Sequence, residues 1–390
     1  MRISSVETIV LAEPEHVGEP AGWCTSPLDV FMPTRHERGR QPTPGIPSNV
    51  LVIVTTDDGL KGYGMVGTGS PAAAAVIDYH LRSLVLGEDP FNVELLWSRM
   101  YRTTINIGRR GLVLEAISAI DVAIWDILGK ALGQPLYNLL GGQTVDRMRA
   151  YVSQSYAREN LDDVAAEARH WMSQGFTGLK MRFGYGPVDG PQGMRKNVDL
   201  VRTVREAIGP DVMLAIDAYM GWDVTYAIRM IRMLDEFDLA WVEEPISPDD
   251  LDGFGLIRRS VNTPISTGEH EATRWGYRQL LERGAVDIIQ PDVDRMGGIT
   301  EARKVWALAA AFDIPVIPHG GWAHNAHLVL ANMNSPWLEY FPADGIQSGY
   351  TFYRQLLTGQ PEAVDGWVSL SSAPGLGVEL DEAVLERHRL

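Results

Sequence analysis

The sequence is notable first for what it lacks. Its 390 residues contain a single cysteine, Cys24, so no intrachain disulfide framework can form. No run of 18 apolar residues occurs and the first five residues contain no apolar signal core, so we expect no membrane-spanning helix, no secretory signal and a cytoplasmic location. Basic residues are outnumbered 34 to 50 by acidic ones, and the net charge of −16 argues against a nucleic-acid partner. Low-complexity tracts and solenoid repeats are also missing, which leaves an ordinary globular composition.

Three acidic residues stand out because each closes a short apolar run and each lies 26 residues from the next: Asp217, Glu243 and Glu269. A short apolar run followed by a helix-length segment is typical of a βα unit. Carboxylates at the same end of neighbouring parallel strands converge and repel unless a cation lies among them. Oxygen ligands of this kind favour Mg²⁺. The spacing therefore predicts a divalent-metal site at the mouth of a barrel.

The strand-helix alternation predicts an α/β fold of the TIM-barrel type, preceded by an α+β domain. We predict barrel strands at Met148–Ser153, Gly178–Arg182, Val212–Asp217, Leu239–Glu243, Pro264–Gly268, Val286–Gln290, Pro315–Pro318 and Trp337–Tyr340. The first domain contains a hairpin around Asp57-Asp58-Gly59 and a long helix from Leu112 to Lys130. We assign residues 1–125 to this capping domain, completed by 366–390, and residues 126–365 to the barrel.

Ionisable residues follow seven consecutive predicted strands, where barrel active sites lie. In addition to the three acids they are Lys180 and Arg182, then Asp292, His319 and Glu339. Each has a simpler interpretation: a lone acid often caps the next helix, and His319 could be a loop histidine without a role. An adjacent carboxylate and imidazole nevertheless form the arrangement that a general base requires, which favours an Asp292–His319 dyad.

Lys180 and Arg182 share one face of a strand, because they are separated by one residue. Arg182 cannot easily serve as a base, since a guanidinium stays protonated, but it can bind a carboxylate or a hydroxyl. Lys180 could act as a base if desolvation and Arg182 depressed its pKa. The alternative for both cations is a salt bridge in the barrel wall.

Three motifs in combination resemble the enolase superfamily, in its mandelate racemase subgroup, over nearly the whole chain. They are the segment Ala116–Lys130 with Leu139-Leu140-Gly141-Gly142, the run Trp241-Val242-Glu243-Glu244-Pro245, and Pro374-Gly375-Leu376-Gly377-Val378. The stretches Thr267–Gly276, Asp287–Val293 and Gly108–Leu114 are most similar to those of the sugar-acid dehydratases, the L-rhamnonate dehydratases in particular. The resemblance implies a modified (β/α)7β barrel under an N-terminal capping domain.

The resemblance also implies roles for individual residues. Asp217, Glu243 and Glu269 would be Mg²⁺ ligands, His319 and Asp292 the base dyad, and Glu339 an acid that hydrogen-bonds the enolate oxygen. Such an enzyme would remove the C2 proton of an acid sugar related to L-rhamnonate or L-lyxonate and eliminate the 3-hydroxyl, leaving a 2-keto-3-deoxy sugar acid. The family resemblance further implies a homo-oligomer, from dimer to octamer.

Arg182 departs from the family pattern, because racemases of this subgroup usually carry a second lysine there as a base. This disfavours two-base racemisation. A racemase or epimerase of a 2-hydroxy acid stays open as an alternative, as does a non-catalytic barrel that binds acid sugars. For substrate binding we propose Arg35 and His36 in the loop before residue 40, and Tyr219, Trp222 and His270 near the metal ligands; a solvated loop and simple packing are the competing interpretations.

Overall fold

The computed structural model describes residues 1–12, 22–31, 48–67, 70–343 and 348–390. Its strands are β1 (Ile3–Ala12), β2 (Ser48–Thr56), β3 (Lys61–Met65), β4 (Met148–Ser155), β5 (Gly178–Arg182), β6 (Met213–Asp217), β7 (Trp241–Glu243), β8 (Ile265–Thr267), β9 (Ile288–Ile289), β10 (Leu338–Tyr340), β11 (Leu357–Thr358), β12 (Ala363–Val364), β13 (Trp367–Val368) and β14 (Glu379–Leu380). Its α-helices are α1 (Pro71–Val76), α2 (Arg82–Val85), α3 (Val93–Thr104), α4 (Leu112–Leu132), α5 (Leu136–Leu139), α6 (Leu161–Ser173), α7 (Gly190–Ile208), α8 (Val224–Arg232), α9 (Leu251–Ser260), α10 (Thr273–Glu282), α11 (Val293–Met296), α12 (Gly298–Ala311), α13 (Ala323–Ala331), α14 (Ser348–Leu356) and α15 (Glu382–His388).

The capping domain is built on an antiparallel sheet in the order β1-β2-β3. The sheet packs on helix α4 through β3, where two glycines allow an unusually close approach. A Cβ at Gly62 would lie 1.9 Å from the carbonyl oxygen of Ala123, and one at Gly64 would lie 2.0 Å from that of Ala119. Only glycine therefore lets this strand lie directly on the helix backbone.

Helix α4 is the central element between the two domains, and every residue from 113 to 129 is buried. It ends at Gly133, which adopts the left-handed conformation (φ 63°) that glycine accepts without strain. Asp126 on this helix is wholly buried and accepts hydrogen bonds from the backbone N–H of Tyr63 (3.3 Å) and of Leu376 (2.8 Å), and from Lys130 Nζ (2.7 Å). One carboxylate thus joins the capping sheet, the central helix and the C-terminal segment.

The second domain is a (β/α)7β barrel: the strand-helix alternation predicts a barrel of the TIM type, and the family resemblance implies this modified form. Strands β4 to β9 are parallel and follow one another in space, and β10 closes the barrel by pairing with β4. The seventh strand is shorter than we predict, because around Val316 only an isolated bridge to Ile289 forms. Pro315 and Pro318 lack the N–H groups that a longer ladder would need.

The barrel interior has two layers, since side chains on a strand alternate between faces. The lower layer is an apolar cluster of Tyr151, Ala215, Trp241, Ile288 and Ile317. Two residues further along the same strands come polar side chains: Ser153, Asp217, Glu243, Gln290 and His319. The carboxyl ends of parallel strands meet at one edge, so the polar layer forms the floor of a cavity at the barrel mouth.

The C-terminal segment contacts both domains: β13 pairs with β4, and the N–H of Leu390 donates to the carbonyl of Val10 at 3.0 Å. Residue 125 lies within α4, and the domain limits of 125/126 and 365/366 stay predictions. Among the described residues, none of the helices has both the length and the apolar character needed to cross a bilayer.

Candidate active site

Lys180 is the buried cation at the centre of the site, with its side chain 1% exposed. Its Nζ lies 2.5 Å from Glu243 Oε1 and 2.8 Å from Glu339 Oε1. Burial alone would lower the pKa of Lys180, but these two carboxylates outweigh it and hold the pKa well above the ordinary value. Lys180 therefore remains an ammonium group, and the base role considered from the sequence is not supported.

Glu243 is surrounded by donors and by other acids. Its Oε2 accepts hydrogen bonds from Gln290 Nε2 (2.7 Å) and from the indole of Trp241 (3.2 Å). Burial raises the pKa of Glu243 to about 7; Lys180 opposes this rise, while Asp217, Glu339 and Glu269 add to it. A carboxylate this crowded by negative charge is stabilised by a cation.

Asp217 lies beside Glu243, because the two residues are direct partners in the β6–β7 pairing. Its Oδ1 accepts the N–H of Tyr219 at 2.7 Å, and its Oδ2 lies 3.5 Å from Arg182 Nε. Arg182 also donates to the carbonyl of Ser153 (3.3 Å) and lies 4.7 Å from the ring of Tyr156. Despite burial, the pKa of Arg182 stays raised, so it is a fixed cation and not a base.

His319 and Asp292 form the predicted pair, with His319 Nδ1 2.8 Å from Asp292 Oδ2. Since a carboxylate only accepts, Nδ1 carries a proton in either charge state of the ring, and in the neutral ring Nε2 is left to take one up. Burial lowers the pKa of His319, but Glu269, Asp292 and Glu339 outweigh it and raise the pKa to about 9. Asp292 also caps helix α11 by accepting the N–H of Asp294 at 2.9 Å, so this carboxylate both contacts the imidazole and caps the helix.

Glu269 connects the dyad to the acid cluster. Its Oε2 lies 3.6 Å from His319 Nε2, and its Oε1 lies 3.3 Å from Arg295 Nη1. Burial would raise its pKa, but His319, His270 and Arg295 reverse this and leave the pKa well below the ordinary range. Glu269 is therefore a carboxylate that faces the proton-exchanging nitrogen.

Glu339 accepts the backbone N–H of Gly320 at 2.6 Å in addition to its contact with Lys180. Although burial alone would raise its pKa, Lys180 and His319 hold the pKa below the ordinary value. Its partners in this structure are donors and cations, and its role as the acid that hydrogen-bonds the enolate oxygen stays a prediction.

His270 faces Glu244, whose Oε1 lies 2.9 Å from His270 Nδ1. Glu244 has a left-handed backbone (φ 40°), which turns it out of the strand pleat. Among the described residues, only one set of carboxylate or imidazole ligand atoms lies mutually within 4.8 Å, and it comprises Glu244, Glu269 and His270. Asp217 and Glu243 do not form so tight a group with Glu269.

The other predicted substrate-binding residues divide into three groups. Tyr219 lies at the site, half-buried and with its ring 6.3 Å from that of His270. Trp222 is 5% exposed, packs at 4.7 Å from Phe183 and donates its N–H to the carbonyl of Tyr185, which favours its packing interpretation. Arg35 and His36 lie outside the described residues.

Sequence reasoning missed Gln290 and Arg295, which both contact site carboxylates. Gln290 could have been found, because it lies two residues after Ile288 on the inward face of the same strand. Arg295 has no comparable signal in the sequence.

Family comparisons agree with this geometry. Residues 163–384 match a family model described as "Enolase C-terminal domain-like", and residues 33–141 match "Mandelate racemase / muconate lactonizing enzyme, N-terminal domain". The chain belongs to the mandelate racemase group of the enolase superfamily. The resemblance drawn from the sequence motifs is thereby confirmed.

Within the superfamily, the similar proteins include acid-sugar dehydratases. An L-rhamnonate dehydratase of Saccharopolyspora erythraea is 40% identical over 338 residues, which cover 86% of this chain and 84% of that protein. The crystal structure of L-rhamnonate dehydratase from Gibberella zeae matches with a TM-score of 0.87 at 33% identity, covering 99% of this chain and 95% of that one. A structure of rhamnonate dehydratase from Gibberella zeae complexed with Mg matches with a TM-score of 0.82 at 32% identity, covering 99% and 96%.

Mg²⁺ is the cofactor of this enolase-superfamily fold, and the residues here fit it. Asp217, Glu243 and Glu269 offer only oxygen donors, which Mg²⁺ prefers, whereas the group with His270 includes an imidazole nitrogen better suited to transition metals. Burial raises the pKa of Glu243 and the charges of Asp217, Glu339 and Glu269 add to the rise, so a cation among these acids would relieve their repulsion. The assignment of the three ligands stays a prediction.

Proposed function

We propose that this chain is a Mg²⁺-dependent acid-sugar dehydratase that acts on a substrate related to L-rhamnonate or L-lyxonate. The enzyme removes the C2 proton and eliminates the 3-hydroxyl, which leaves a 2-keto-3-deoxy sugar acid. The observation that carries the proposal is the His319–Asp292 contact of 2.8 Å, with His319 Nε2 facing the carboxylate of Glu269. A base beside an acid cluster is what proton removal next to a carboxylate requires. The dehydratase relatives support the same reaction class.

His319 acts as the general base. Asp292 accepts the Nδ1 proton, which fixes the ring orientation and leaves Nε2 to take the proton from C2. When bound by the three carboxylates, Mg²⁺ supplies Lewis-acid stabilisation for the charge that develops on the substrate carboxylate. The protonated His319 then gives its proton to the departing 3-hydroxyl, provided that the elimination is syn.

The fixed cations supply the remaining electrostatic stabilisation. Lys180 stays an ammonium group between Glu243 and Glu339, so it adds positive charge beneath the developing enediolate. Arg182, beside Asp217, can bind a substrate hydroxyl or carboxylate but cannot take a proton from the opposite face. This asymmetry favours dehydration over two-base racemisation.

The test is a panel of acid sugars incubated with the enzyme and Mg²⁺, with two readouts: 2-keto acid formation and deuterium incorporation at C2 in D₂O. Formation of a 2-keto-3-deoxy acid supports the proposal and identifies the stereoisomer. Exchange at C2 without loss of water would indicate a racemase or epimerase. Saturable binding with neither reaction would indicate a non-catalytic acid-sugar binder. Homo-oligomerisation and a cytoplasmic location stay predictions from the sequence.

A further inference from the structure

Arg295 links the general base to the candidate metal ligands. It lies in α11, three residues after Asp292, and its side chain is 23% exposed. Its Nε lies 3.1 Å from Asp292 Oδ2, and its Nη1 lies 3.3 Å from Glu269 Oε1. One guanidinium thus forms ion pairs with a carboxylate of the dyad and a carboxylate of the acid cluster, which follow the neighbouring strands β9 and β8.

The positive charge of Arg295 offsets the repulsion between two buried carboxylates. Asp292 and Glu269 are both buried carboxylates, at 6% and 7% exposure, and they repel each other. His319 contacts both of them, but a general base changes its charge in the course of the reaction. A guanidinium stays charged throughout and offers several donors in one plane. Arg295 is therefore the constant cation between these two acids.

The capping domain holds the stem of Arg295 in place. A Cβ at Gly67 would lie 2.8 Å from Arg295 Cγ and 3.2 Å from Asp294 Cβ, so the chain just after β3 lies directly on this side chain. The φ of Gly67 is not in the left-handed region, so other residues could adopt its backbone conformation. What favours glycine at this position is the lack of space for a side chain.

The same short helix is held from its other end. The turn after α11 is bonded to the capping helices: Gly297 donates its N–H to Ser118 Oγ (2.9 Å) and accepts from Trp97 Nε1 (2.8 Å). Thr300, the third residue of α12, donates both its N–H (2.9 Å) and its hydroxyl (2.5 Å) to the buried carboxylate of Asp121. Helix α11 is thus clamped between contacts from the capping domain.

We propose that Arg295 is a positioning residue for the C2-proton abstraction: seated under Gly67 of the capping domain, it fixes the Asp292 carboxylate, and through it the His319 ring, relative to Glu269. This inference rests on the proposed dehydratase function and names a further residue on which that function depends. Contacts that orient a ligand or a base from outside typically change activity about 10–100-fold when removed.

The first experiment compares Arg295→Gln and Arg295→Lys with wild type, and uses Arg278→Gln as the matched control, since Arg278 is an exposed arginine paired with Glu282. We expect Arg295→Gln to lower kcat about 10–100-fold with a much smaller change in KM. Arg295→Lys should recover part of the loss, because it restores the charge without the planar fork, and Arg278→Gln should behave as wild type.

A spectroscopic readout keeps the inference separate from the proposed function. A histidine Nδ1 proton shared with a carboxylate gives a downfield proton NMR resonance, which we assign by its loss in His319→Asn. The resonance should be present in wild type and Arg278→Gln, and lost or shifted in Arg295→Gln, whether or not any acid sugar is turned over. A wild-type resonance together with a wild-type kcat in Arg295→Gln would overturn the inference. If the wild-type enzyme does not dehydrate acid sugars, only the proposed function is overturned. The resonance alone would then decide whether Arg295 positions the dyad.

The second experiment tests the capping-domain contact by a double-mutant cycle. Gly67→Ala should lower kcat in the wild-type background, because the added methyl presses on Arg295 Cγ. In an Arg295→Ala background that pressure is gone, so Gly67→Ala should cost little more. Equal losses in both backgrounds, in variants whose circular dichroism and Tm show an intact fold, would contradict the role of Gly67.

Discussion

Gln290 donates its side-chain amide to Oε2 of Glu243 across 2.7 Å. The other oxygen of Glu243 faces Lys180, so both oxygens of this carboxylate are oriented by protein groups. Glu243 is therefore placed by its neighbours before any substrate arrives, which reduces the ordering that binding would otherwise require.

Gln290→Leu should weaken Mg²⁺ binding about 10-fold or more, because Glu243 loses a hydrogen-bond donor that orients its carboxylate. The measurement is isothermal titration calorimetry with MgCl₂ in the absence of substrate. Gln279→Leu, at an exposed position on α10, is the matched control. An unchanged Kd in Gln290→Leu would show that the amide does not orient Glu243.

His319→Asn should abolish both C2 deuterium exchange and dehydration, since one nitrogen begins both steps. Asp292→Asn should reduce both, because an amide can donate to Nδ1 and favour the wrong tautomer. Proton NMR in D₂O and a 2-keto acid assay follow the two reactions. His170→Asn, at an exposed site on α6, should retain full activity. Turnover retained in His319→Asn would refute the assignment of the base.

Lys180→Met should destabilise the fold by about 3–5 kcal/mol, because it leaves Glu243 and Glu339 buried without their shared cation. Urea unfolding measures the change in the free energy of unfolding. Lys61→Met removes an exposed lysine and should change stability by less than about 0.5 kcal/mol. A loss no larger than that of the control would mean that the two acids accept protons in place of the ammonium.

His327 makes stability depend on pH in acid. It accepts the N–H of Tyr137 at Nδ1 (3.1 Å), and its Nε2 lies 3.2 Å from the carbonyl of Leu376, so the neutral ring fits both partners. Burial lowers the pKa of His327 from 6.5 to about 4, and His324 adds to the decrease. Between these two pH values the unfolded chain binds more protons than the folded one, so stability falls as pH falls.

His327→Gln tests this linkage, because glutamine keeps a neutral donor and acceptor. Wild type should be the more stable protein near pH 7, and the difference in Tm between the two should shrink as pH falls from 6.5 towards about 4. The corresponding decrease in the free energy of unfolding of wild type relative to the variant is roughly 3 kcal/mol at most. Parallel Tm curves across this range would show that His327 does not titrate in acid unfolding.

The barrel and most of its strand-end residues could be predicted from the sequence because two simple rules apply to them. Side chains alternate along a strand, and parallel strands end at one edge. Asp217 and Glu243 follow both rules, since they end the paired strands β6 and β7. The seventh strand follows neither completely, since its prolines leave only the bridge at Val316. Strand β1 was missed, although Ile9-Val10-Leu11 is an apolar run, because the aperiodic stretch after residue 13 obscured its pairing with β2.

Electrostatic states could not be predicted in the same way, because they depend on contacts between distant parts of the chain. Lys180 remains charged because Glu243 and Glu339 both face it, and Glu339 accepts hydrogen bonds from Lys180 and from the N–H of Gly320, which lies 19 residues before it. Trp222 illustrates the same limit for packing, since its position near Asp217 in sequence does not reveal that its indole lies against Phe183.

The glycines of β3 have a consequence for how the molecule can be altered. With Gly62 and Gly64 in direct backbone contact with α4, the capping sheet and the central helix cannot slide past each other and must shift as a single rigid body. Recombination between homologues that aims to change the substrate range should therefore exchange β3 and α4 together. Chimeras that join β3 of one homologue to α4 of another would place mismatched surfaces at a contact that has no side-chain layer to absorb the error.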